Sequence, residues 1–336
     1  MGLTVAVTGP TGDIGKPLLG ALERNDAVEK VVGMARRPFD PAAEGWSKVS
    51  YRQGDILDRD AVAGLVAGAD VVVHLAFVIF GSHEETHGIN LEGTRNVFEE
   101  TVRAAVPRLI YTSSVAAYGF HSENPQPLTE DTEAKGSDEF YYSAQKAELE
   151  ELLRDTLQGT PTDAYVFRPC VVAGPRAITV IEQALGQVQI GMRLPGVKQA
   201  MDLLPFLRPV VPNNGVPFQL VHHDDVASAI AAAIEGRGEP GIYNLAAPGK
   251  ITASDLASAL GWYSVPVPDL AVHLTAEVVS RVPFLSGEVE WITAVRTPVL
   301  MSTEKAQSQL GWTPVYDAVE TLAQTADAAR EQQIVT

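Results

Sequence analysis

A tyrosine and a lysine, Tyr142 and Lys146, stand four residues apart in a segment whose pattern predicts a helix. Side chains at this spacing lie on one helix face, so the phenol and the ammonium are predicted to be neighbours. A free tyrosine has a pKa of about 10, but a nearby cation favours its phenolate. The pair therefore predicts an acid–base group that exchanges a proton with a carbonyl or hydroxyl oxygen. The alternative interpretation is a surface aromatic–lysine pair.

Three consecutive hydroxyl residues, Thr112, Ser113 and Ser114, end a predicted strand at 109–112. A hydroxyl at a strand end can point into a cleft and hold the oxygen of a substrate. Such residues are also common in ordinary turns, which is the alternative interpretation.

Three glycines, Gly9, Gly12 and Gly15, follow the first predicted strand and open the first predicted helix. Glycines let the backbone approach a pyrophosphate, and the helix N-terminus behind them supplies free amide groups and partial positive charge. A tight turn without a ligand is the alternative. The position after the first strand favours a dinucleotide site, in which we include the intervening Thr11, Asp13 and Ile14.

The end of the second strand indicates which dinucleotide binds. An acidic residue there would contact the ribose hydroxyls of NAD, but this chain has Arg36 and Arg37. Two arginines can pair with a 2′-phosphate, although they are also ordinary solvated charges. We therefore predict that NADP is preferred and that NAD is possible. Asp55, after the third strand, is predicted to contact the adenine amino group.

These residues require elements that position them, and strands alternate with helices through the first 170 residues. The predicted strands are 3–7, 28–34, 49–53, 69–76, 109–112 and 164–168, and the predicted helices are 16–24, 59–67, 91–106 and 141–157. Continuous apolar strands indicate a parallel sheet covered on both faces. We predict an α/β fold, a Rossmann-type doubly wound parallel sheet with a smaller, discontinuous C-terminal substrate lobe.

The later chain defines the predicted domains. The pattern returns at strand 218–221, helix 224–234 and strand 241–245, and the last predicted helix is 303–310. The dinucleotide domain is thus predicted at 1–174 plus 218–249, and the substrate lobe at 175–217 plus 250–336. Segments 203–207 and 283–285 are apolar, which suits a small or hydrophobic carbonyl substrate.

Composition excludes several classes of function. A net charge of −17 repels phosphate backbones, so we expect no nucleic-acid partner. The chain has one cysteine and lacks paired Cys-x-x-Cys and His-Glu-x-x-His patterns, so we expect no disulfide and no metal. Its longest strongly apolar stretch, 71–80, is too short to span a bilayer, and the N-terminus does not resemble a signal peptide. We expect a cytoplasmic protein without a membrane partner.

An ordered series of motifs resembles the extended, epimerase-like branch of the short-chain dehydrogenase/reductase family. The motifs are Thr8-Gly9-x-x-Gly12-x-x-Gly15, Asp55-Ile56-x-Asp58, His74-Leu75-Ala76, Asn90-x-x-Gly93-Thr94-x-Asn96, Ser113-Ser114-x-x-x-Tyr118-Gly119, Tyr142-x-x-x-Lys146, Arg168-Pro169 with Gly174-Pro175, His222-x-Asp224-Asp225-Val226 and Leu310-Gly311-Trp312-x-Pro314. They span nearly the whole chain, and the ordered set is far more specific than any single motif.

The resemblance implies roles for matching positions. Tyr142 would be the acid–base residue, Lys146 would hold the nicotinamide ribose, and Ser114 would bond the reacting oxygen. Further cofactor contacts would come from Ile56, Leu75, Ala76, Phe77, Thr112, Pro169, Cys170 and Val171. Substrate contacts would come from Phe77, Val78, Ser114 and Val115. Family members often dimerise through the helices at 91–106 and 142–157, so we expect a homodimer.

Departures from the family pattern narrow the expected chemistry. Val115 and Ala116 stand where sugar-nucleotide dehydratases carry an Asp-Glu pair, and Val171 stands where many epimerases carry a sugar-binding asparagine. We therefore predict NADPH-linked reduction of an aldehyde or ketone, or the reverse alcohol oxidation. The alternatives are a nucleotide-sugar epimerase with tightly bound NAD and a non-catalytic NADP-sensing regulator.

Overall fold

The structure, a computed structural model, describes residues 2–79, 83–178, 210–266 and 297–334. The apolar segments 203–207 and 283–285 lie outside these residues. The chain divides into two compact units. The first unit comprises Met1–Cys170, Asp224–Ala246 and Met301–Thr313, and the second comprises Val171–His223, Ala247–Leu300 and Pro314–Thr336.

A seven-stranded parallel sheet forms the centre of the first unit. Its strands are β1 (Leu3–Thr8), β2 (Val28–Ala35), β3 (Val49–Gln53), β4 (Val71–His74), β5 (Arg108–Thr112), β6 (Asp163–Pro169) and β10 (Gly241–Leu245). Their order across the sheet is β10-β6-β5-β4-β1-β2-β3. The predicted α/β fold with a Rossmann-type doubly wound sheet is confirmed.

Helices connect and cover these strands. They are α1 (Gly15–Glu23), α2 (Arg59–Val66), α3 (His83–Arg103), α4 (Tyr141–Leu157), α5 (His223–Ile234) and α7 (Glu304–Leu310), with 3-10 turns at Pro41–Glu44 and Val115–Tyr118. One core cluster joins apolar side chains of α2, α3 and α4 to those of the central strands. Burial of both faces explains why the central strands are continuous apolar runs rather than alternating ones.

The second unit is built on two small parallel sheets. In one, β7 (Val171–Ala173) pairs with β9 (Leu220–His222), and in the other β8 (Val210–Asn213) pairs with β11 (Tyr263–Pro266). Helices α6 (Ala253–Ala259) and α8 (Ala318–Glu331) pack apolar residues against each other and against the first of these sheets. Asp317 and Glu320 form a capping box that starts α8.

Three predictions differ from this arrangement. The strand predicted at 218–221 was assigned to the dinucleotide domain, but β9 pairs with β7 in a separate sheet of the second unit. Residues 301–313 belong to the first unit, where α7 packs near β10, rather than to the substrate lobe. The helix predicted at 91–106 begins eight residues earlier, at His83.

Within the described ranges, none of the helices combines the length and the apolar character that crossing a membrane requires.

Candidate active site

Helix α4 carries the predicted acid–base pair on one face. It spans Tyr141–Leu157, the bounds predicted from the sequence. Ser143 Oγ donates to the carbonyl oxygen of Ala116 at 2.6 Å, which fixes the first turn of the helix to the segment after β5. Phe140 is buried before the helix, and its ring centre lies 5.7 Å from that of Tyr142. The pair is thereby held against the end of β5.

Lys146 is buried, with only 3% of its surface exposed. Its Nζ donates to the carbonyl oxygen of Thr112 at 3.2 Å and lies 3.8 Å from the centre of the Phe77 ring. Burial lowers the pKa of Lys146 to about 7, and the charge of Glu150 offsets part of this effect. The amine therefore titrates near neutral pH, between a carbonyl, an aromatic face and a carboxylate.

The phenol of Tyr142 packs beside the same aromatic ring, edge to face with Phe77 at 5.6 Å between ring centres. Burial raises the pKa of Tyr142 to about 12, and a hydrogen bond with Ser114 offsets part of the rise. The phenol thus keeps its proton at neutral pH. That state suits donation of a proton to a substrate oxygen, whereas taking a proton requires additional positive charge nearby.

The structure separates the two serines at the end of β5. Ser114 Oγ accepts the backbone N–H of Ala116 at 3.1 Å and shares the hydrogen bond with Tyr142. Ser113 Oγ instead donates to Glu150 Oε1 at 2.5 Å. Ser114 is therefore the serine that bonds Tyr142, whereas Ser113 bonds the carboxylate of Glu150.

A buried ion pair lies behind this site and was missed by the sequence analysis. Arg168 on β6 donates two hydrogen bonds to Glu150 on α4, from Nε to Oε1 at 2.9 Å and from Nη2 to Oε2 at 2.5 Å. Burial alone would lower the pKa of Arg168, but the bonds to Glu150 outweigh it and raise that pKa. The residues are 18 positions apart, so no local pattern signals their pairing.

The segment after β4 approaches both the glycine loop and the acid–base pair. A Cβ on Gly9 would stand 2.7 Å from the backbone nitrogen of Ala76, so only glycine permits this approach. Thr8 Oγ1 accepts that same N–H at 3.4 Å, and Leu75 N donates to the Thr8 carbonyl at 3.2 Å. Leu75 and Ala76 therefore border the glycine loop, whereas Phe77 borders Tyr142.

Asn90 holds the next residue, Val78, by both its backbone groups. Its Oδ1 accepts from Val78 N at 2.8 Å, and its Nδ2 donates to Val78 O at 2.9 Å. The same Nδ2 also donates to Gln145 on α4 at 2.9 Å. Asn90 thus links the predicted substrate-contacting segment to helix α4.

The glycine loop fits a bound pyrophosphate. Gly9 has a positive φ of 69°, and a Cβ on Gly15 would collide with the backbone of Gly9 and Pro10. A Cβ on Gly12 would meet nothing closer than the Gly9 oxygen at 3.5 Å, so open space lies beside it. Helix α1 begins there without a side-chain cap. Lys16 N already donates to the Gly12 carbonyl at 3.2 Å and Pro17 has no N–H, so the helix amide that remains for a ligand is that of Gly15.

Side chains of β3 fix the loop that carries the arginine pair. Tyr51 Oη lies 2.7 Å from the Ala35 carbonyl and is also bonded to the Arg37 carbonyl. Gln53 Nε2 donates to the Arg36 carbonyl at 2.9 Å. Both arginines are exposed. Their backbone is therefore held in place, whereas their side chains remain accessible to a ligand.

The other predicted cofactor residues lie at the carboxyl ends of the strands. Asp55 Oδ1 accepts Leu57 N at 3.1 Å, which shapes the turn after β3. Ile56 packs so closely under α3 that a Cβ on Gly93 would collide with it. Thr112 Oγ1 is buried without a hydrogen-bond partner among the described residues, which leaves a hydroxyl for a ligand.

The segment after β6 crosses from one unit to the other. Pro169 ends β6, and Cys170 is buried with its N–H bonded to the Leu245 carbonyl at 2.9 Å. Val171 starts β7 in the second unit, where it packs against that unit's core with Leu220. The first unit by itself therefore brings together Ser114, Tyr142 and Lys146, but not Val171.

Comparison with known families gives one match over most of the chain. The model of the NAD dependent epimerase/dehydratase family matches residues 5–246.

Three curated relatives indicate the range of proteins that the chain is similar to. The uncharacterized protein y4nG of Sinorhizobium fredii is 26% identical over 332 residues, 96% of this chain and 77% of that protein. Sterol demethylase protein B of Methylococcus capsulatus is 31% identical over 179 residues, 52% of each chain. An undecaprenol-linked N-acetylglucosaminyl 4-epimerase of Escherichia coli O157:H7 is 33% identical over 144 residues, 41% of this chain and 42% of that protein. The matches to the sterol demethylase protein and the 4-epimerase thus span about half, or less, of the length of those two proteins.

Two solved structures share the fold over the whole chain. The crystal structure of gox2253 has a TM-score of 0.75 and 23% identity, covering 100% of both chains. UDP-glucuronic acid 4-epimerase from Bacillus cereus, solved with NAD, has a TM-score of 0.72 and 18% identity, covering 98% of this chain and 99% of that one. At these identities the likeness concerns the fold.

Proposed function

Because the chain belongs to the NAD dependent epimerase/dehydratase family, we propose that it is an NADP(H)-linked oxidoreductase acting on a carbonyl or alcohol carbon. The observation that carries the proposal is the meeting of Ser114, Tyr142 and Lys146 at the end of β5, with Tyr142 holding its proton. A group ready to protonate an oxygen is what reduction of an aldehyde or ketone requires.

A bound nicotinamide dinucleotide would supply the hydride that forms the new C–H bond. The glycine loop and the exposed Arg36 and Arg37 would hold its phosphates, through amide groups and charge-assisted hydrogen bonds. The protein's own residues manage the oxygen of the substrate. As the carbonyl π-electrons move onto that oxygen, Tyr142 donates its proton to it, and the product is an alcohol.

Ser114 and Lys146 support that proton transfer. Ser114 already bonds the phenol, so an oxygen bound at the same place would be bonded by Ser114 and Tyr142 together. The Lys146 ammonium favours the phenolate that remains after the proton has left. The reverse oxidation uses the same groups in the opposite order, with the phenolate taking the hydroxyl proton.

Three positions support net reduction over dehydration and epimerisation. Ala116 is buried, and its backbone N–H donates to Ser114 Oγ. The side chains of Ala116 and of the neighbouring Val115 are aliphatic, so neither position supplies an additional acid or base. The side chain of Val171 cannot hydrogen-bond a sugar hydroxyl as an asparagine would. The similarity to sterol demethylase protein B supports a hydrophobic substrate, because the name of that relative refers to a sterol.

A nucleotide-sugar epimerase is the second candidate. The relative with 33% identity is a 4-epimerase, and the same tyrosine–lysine pair would serve an oxidation followed by a re-reduction. Such an enzyme needs no exchange of cofactor between turnovers, so retention of NAD on purification would favour it. The intact pair argues against a non-catalytic sensor, which has no need of an acid–base group.

Thermal unfolding with NAD, NADH, NADP or NADPH tests the cofactor part of the proposal. A ligand at 100 times its dissociation constant adds about 2.7 kcal/mol to the free energy of unfolding. We expect a clear rise in Tm with NADPH and little with NADH. A larger rise with the NAD pair, or NAD already present in the purified protein, would favour the epimerase.

A further inference from the structure

We propose that Glu150 is a positioning residue whose anchored carboxylate favours the ammonium form of the buried Lys146 and holds the end of β5 to α4. The inference deepens the proposed function, on which its kinetic consequence rests. Glu150 lies outside the Tyr142-x-x-x-Lys146 motif of the family.

Three hydrogen bonds, from Arg168 and Ser113, hold the carboxylate of Glu150. Arg168 contacts both oxygens, and Ser113 Oγ donates to Oε1 at 2.5 Å. The side chains of Arg168 and Glu150 are 2% and 9% exposed. The guanidinium is itself fixed, since its carbon lies 4.2 Å from the centre of the Tyr118 ring. The carboxylate thus has little freedom to turn away from its helix face.

Lys146 lies one helical turn before Glu150 on that face. The other titratable groups around its Nζ are neutral at pH 7. On β4, burial and the charge of Lys146 lower the pKa of His74 to about 3. On β5, burial raises the pKa of Tyr111 well above its ordinary value, and on α4 burial raises the pKa of Tyr142 to about 12.

Glu150 is therefore the negative charge that the described residues place near this ammonium. Arg168 on β6 carries the opposite charge and offsets part of its field. Glu150 nevertheless raises the pKa of Lys146, against the larger opposite effect of burial.

The same carboxylate completes a row of contacts between β5 and α4. Three consecutive residues, Thr112, Ser113 and Ser114, bond Lys146, Glu150 and Tyr142 respectively. The helix residues are spaced four apart, so each turn of α4 is tied to one residue of the strand end. Without the Ser113–Glu150 bond, the strand end would be held to the helix in this row only by the contacts of Thr112 with Lys146 and of Ser114 with Tyr142.

The direct test is titration of Lys146 by NMR of protein labelled with 13C at lysine Cε, with the resonance assigned by its loss in Lys146→Met. The comparison uses wild type, Glu150→Gln, Glu150→Asp and the matched control Glu151→Gln. Glu151 is the adjacent residue, but its carboxylate is exposed and pairs with Arg154. The titration needs neither substrate nor turnover.

We expect the Lys146 midpoint near 7 in wild type, lower by about one pH unit or more in Glu150→Gln, and near the wild-type value in Glu150→Asp and Glu151→Gln. The alkaline limb of the kcat/KM profile for reduction should move to lower pH in Glu150→Gln alone. Folding is checked by circular dichroism. An unchanged Lys146 midpoint in folded Glu150→Gln would overturn the proposal.

Loss of Glu150 leaves a buried arginine without its partner, and that variant can fail to fold. The double variant Glu150→Gln/Arg168→Met removes both charges and is compared with Arg168→Met, because loss of the arginine alone removes a repelling charge and should raise the Lys146 midpoint. The midpoint of the double variant should lie below that of Arg168→Met, and equal midpoints in these two variants would overturn the proposal. If the wild type reduces no carbonyl compound, the proposed function fails, while the titration still decides the role of Glu150.

Discussion

The Nζ of Lys146 lies 3.2 Å from the carbonyl oxygen of Thr112, and this bond joins helix α4 to the last residue of strand β5. Because Lys146 is buried and bonded to the end of β5, its side chain is held in one position. The same strand end presents Ser114 to Tyr142. The residues of the proposed acid–base site therefore meet at one helix–strand junction inside the first unit.

Replacing Tyr142 with phenylalanine should abolish most turnover and leave the fold intact. The variant removes the proton donor but keeps the ring that packs against Phe77. General acid–base catalysis contributes about 10²- to 10⁴-fold, so kcat should fall within that range. Tyr165→Phe is the matched control, since that hydroxyl lies on β6 and donates to the Gly238 carbonyl at 2.9 Å, so its loss should leave kcat near wild type. Equal turnover in both variants would remove Tyr142 from the mechanism.

Replacing Lys146 with methionine should reduce activity and increase stability. In the folded protein the pKa of Lys146 is about 7, below its value of about 10.4 in an unfolded chain. The unfolded chain binds the proton more tightly, so the buried amine costs stability in full below pH 7 and costs nothing above about pH 10.4. Denaturant unfolding should show a gain of about 1 kcal/mol or more at pH 6 that disappears by pH 11. The exposed Lys135→Met should show no such trend, and a loss of stability at pH 6 in Lys146→Met would contradict the account.

Removing the arginine pair should weaken NADPH binding selectively. Arg36→Ala/Arg37→Ala deletes the charges proposed to contact the 2′-phosphate, and hydrogen bonds to charged groups contribute about 1.5–3 kcal/mol each. The Kd for NADPH should rise at least about tenfold while that for NADH stays nearly constant. Arg52→Ala is the control, because this arginine lies on β3 and bonds the Gly64 carbonyl. An equal loss of NADH affinity would show that the two arginines do not contact the 2′-phosphate of NADPH.

Two alanine substitutions in the glycine loop should separate binding from folding. A Cβ on Gly15 meets the Pro10 carbonyl carbon at 2.5 Å, so Gly15→Ala should lower Tm as well as cofactor affinity. A Cβ on Gly12 meets only the Gly9 oxygen at 3.5 Å, so Gly12→Ala should keep the wild-type Tm without cofactor. Its methyl group would occupy the space assigned to the pyrophosphate, and isothermal titration should show weaker binding. Undiminished binding in Gly12→Ala would place the cofactor elsewhere.

The local sequence pattern was sufficient to predict the helices and strands that position the site. Helix α4 and strand β10 have the bounds predicted from the sequence, because each has a clear period and clear turn residues at its ends. Strand β4 is shorter than predicted, since Leu75 and Ala76 leave the sheet where the glycine loop approaches them. The start of α3 was missed because residues 83–90 are largely polar and lack an apolar period.

What the sequence analysis missed depends on contacts between distant residues. The ion pair of Glu150 with Arg168 has no local signature, and the pairing of β7 with β9 joins segments almost 50 positions apart. Helix α8 did carry a signal that went unused, the Asp317–Glu320 capping box before an alanine-rich amphipathic segment. The distinction between Ser113 and Ser114 required the structure, because both are hydroxyls at the same strand end.

The central claim is net hydride transfer from NADPH with Tyr142 as the proton donor. It is tested most directly by following the loss of nicotinamide absorbance when purified protein is mixed with excess NADPH and a panel of hydrophobic ketones and aldehydes. We predict many turnovers per protein molecule with at least one carbonyl compound, and a loss of about 10²-fold or more in Tyr142→Phe. Inversion of a nucleotide-linked sugar without net consumption of cofactor, with every carbonyl compound left unreduced, would contradict the claim.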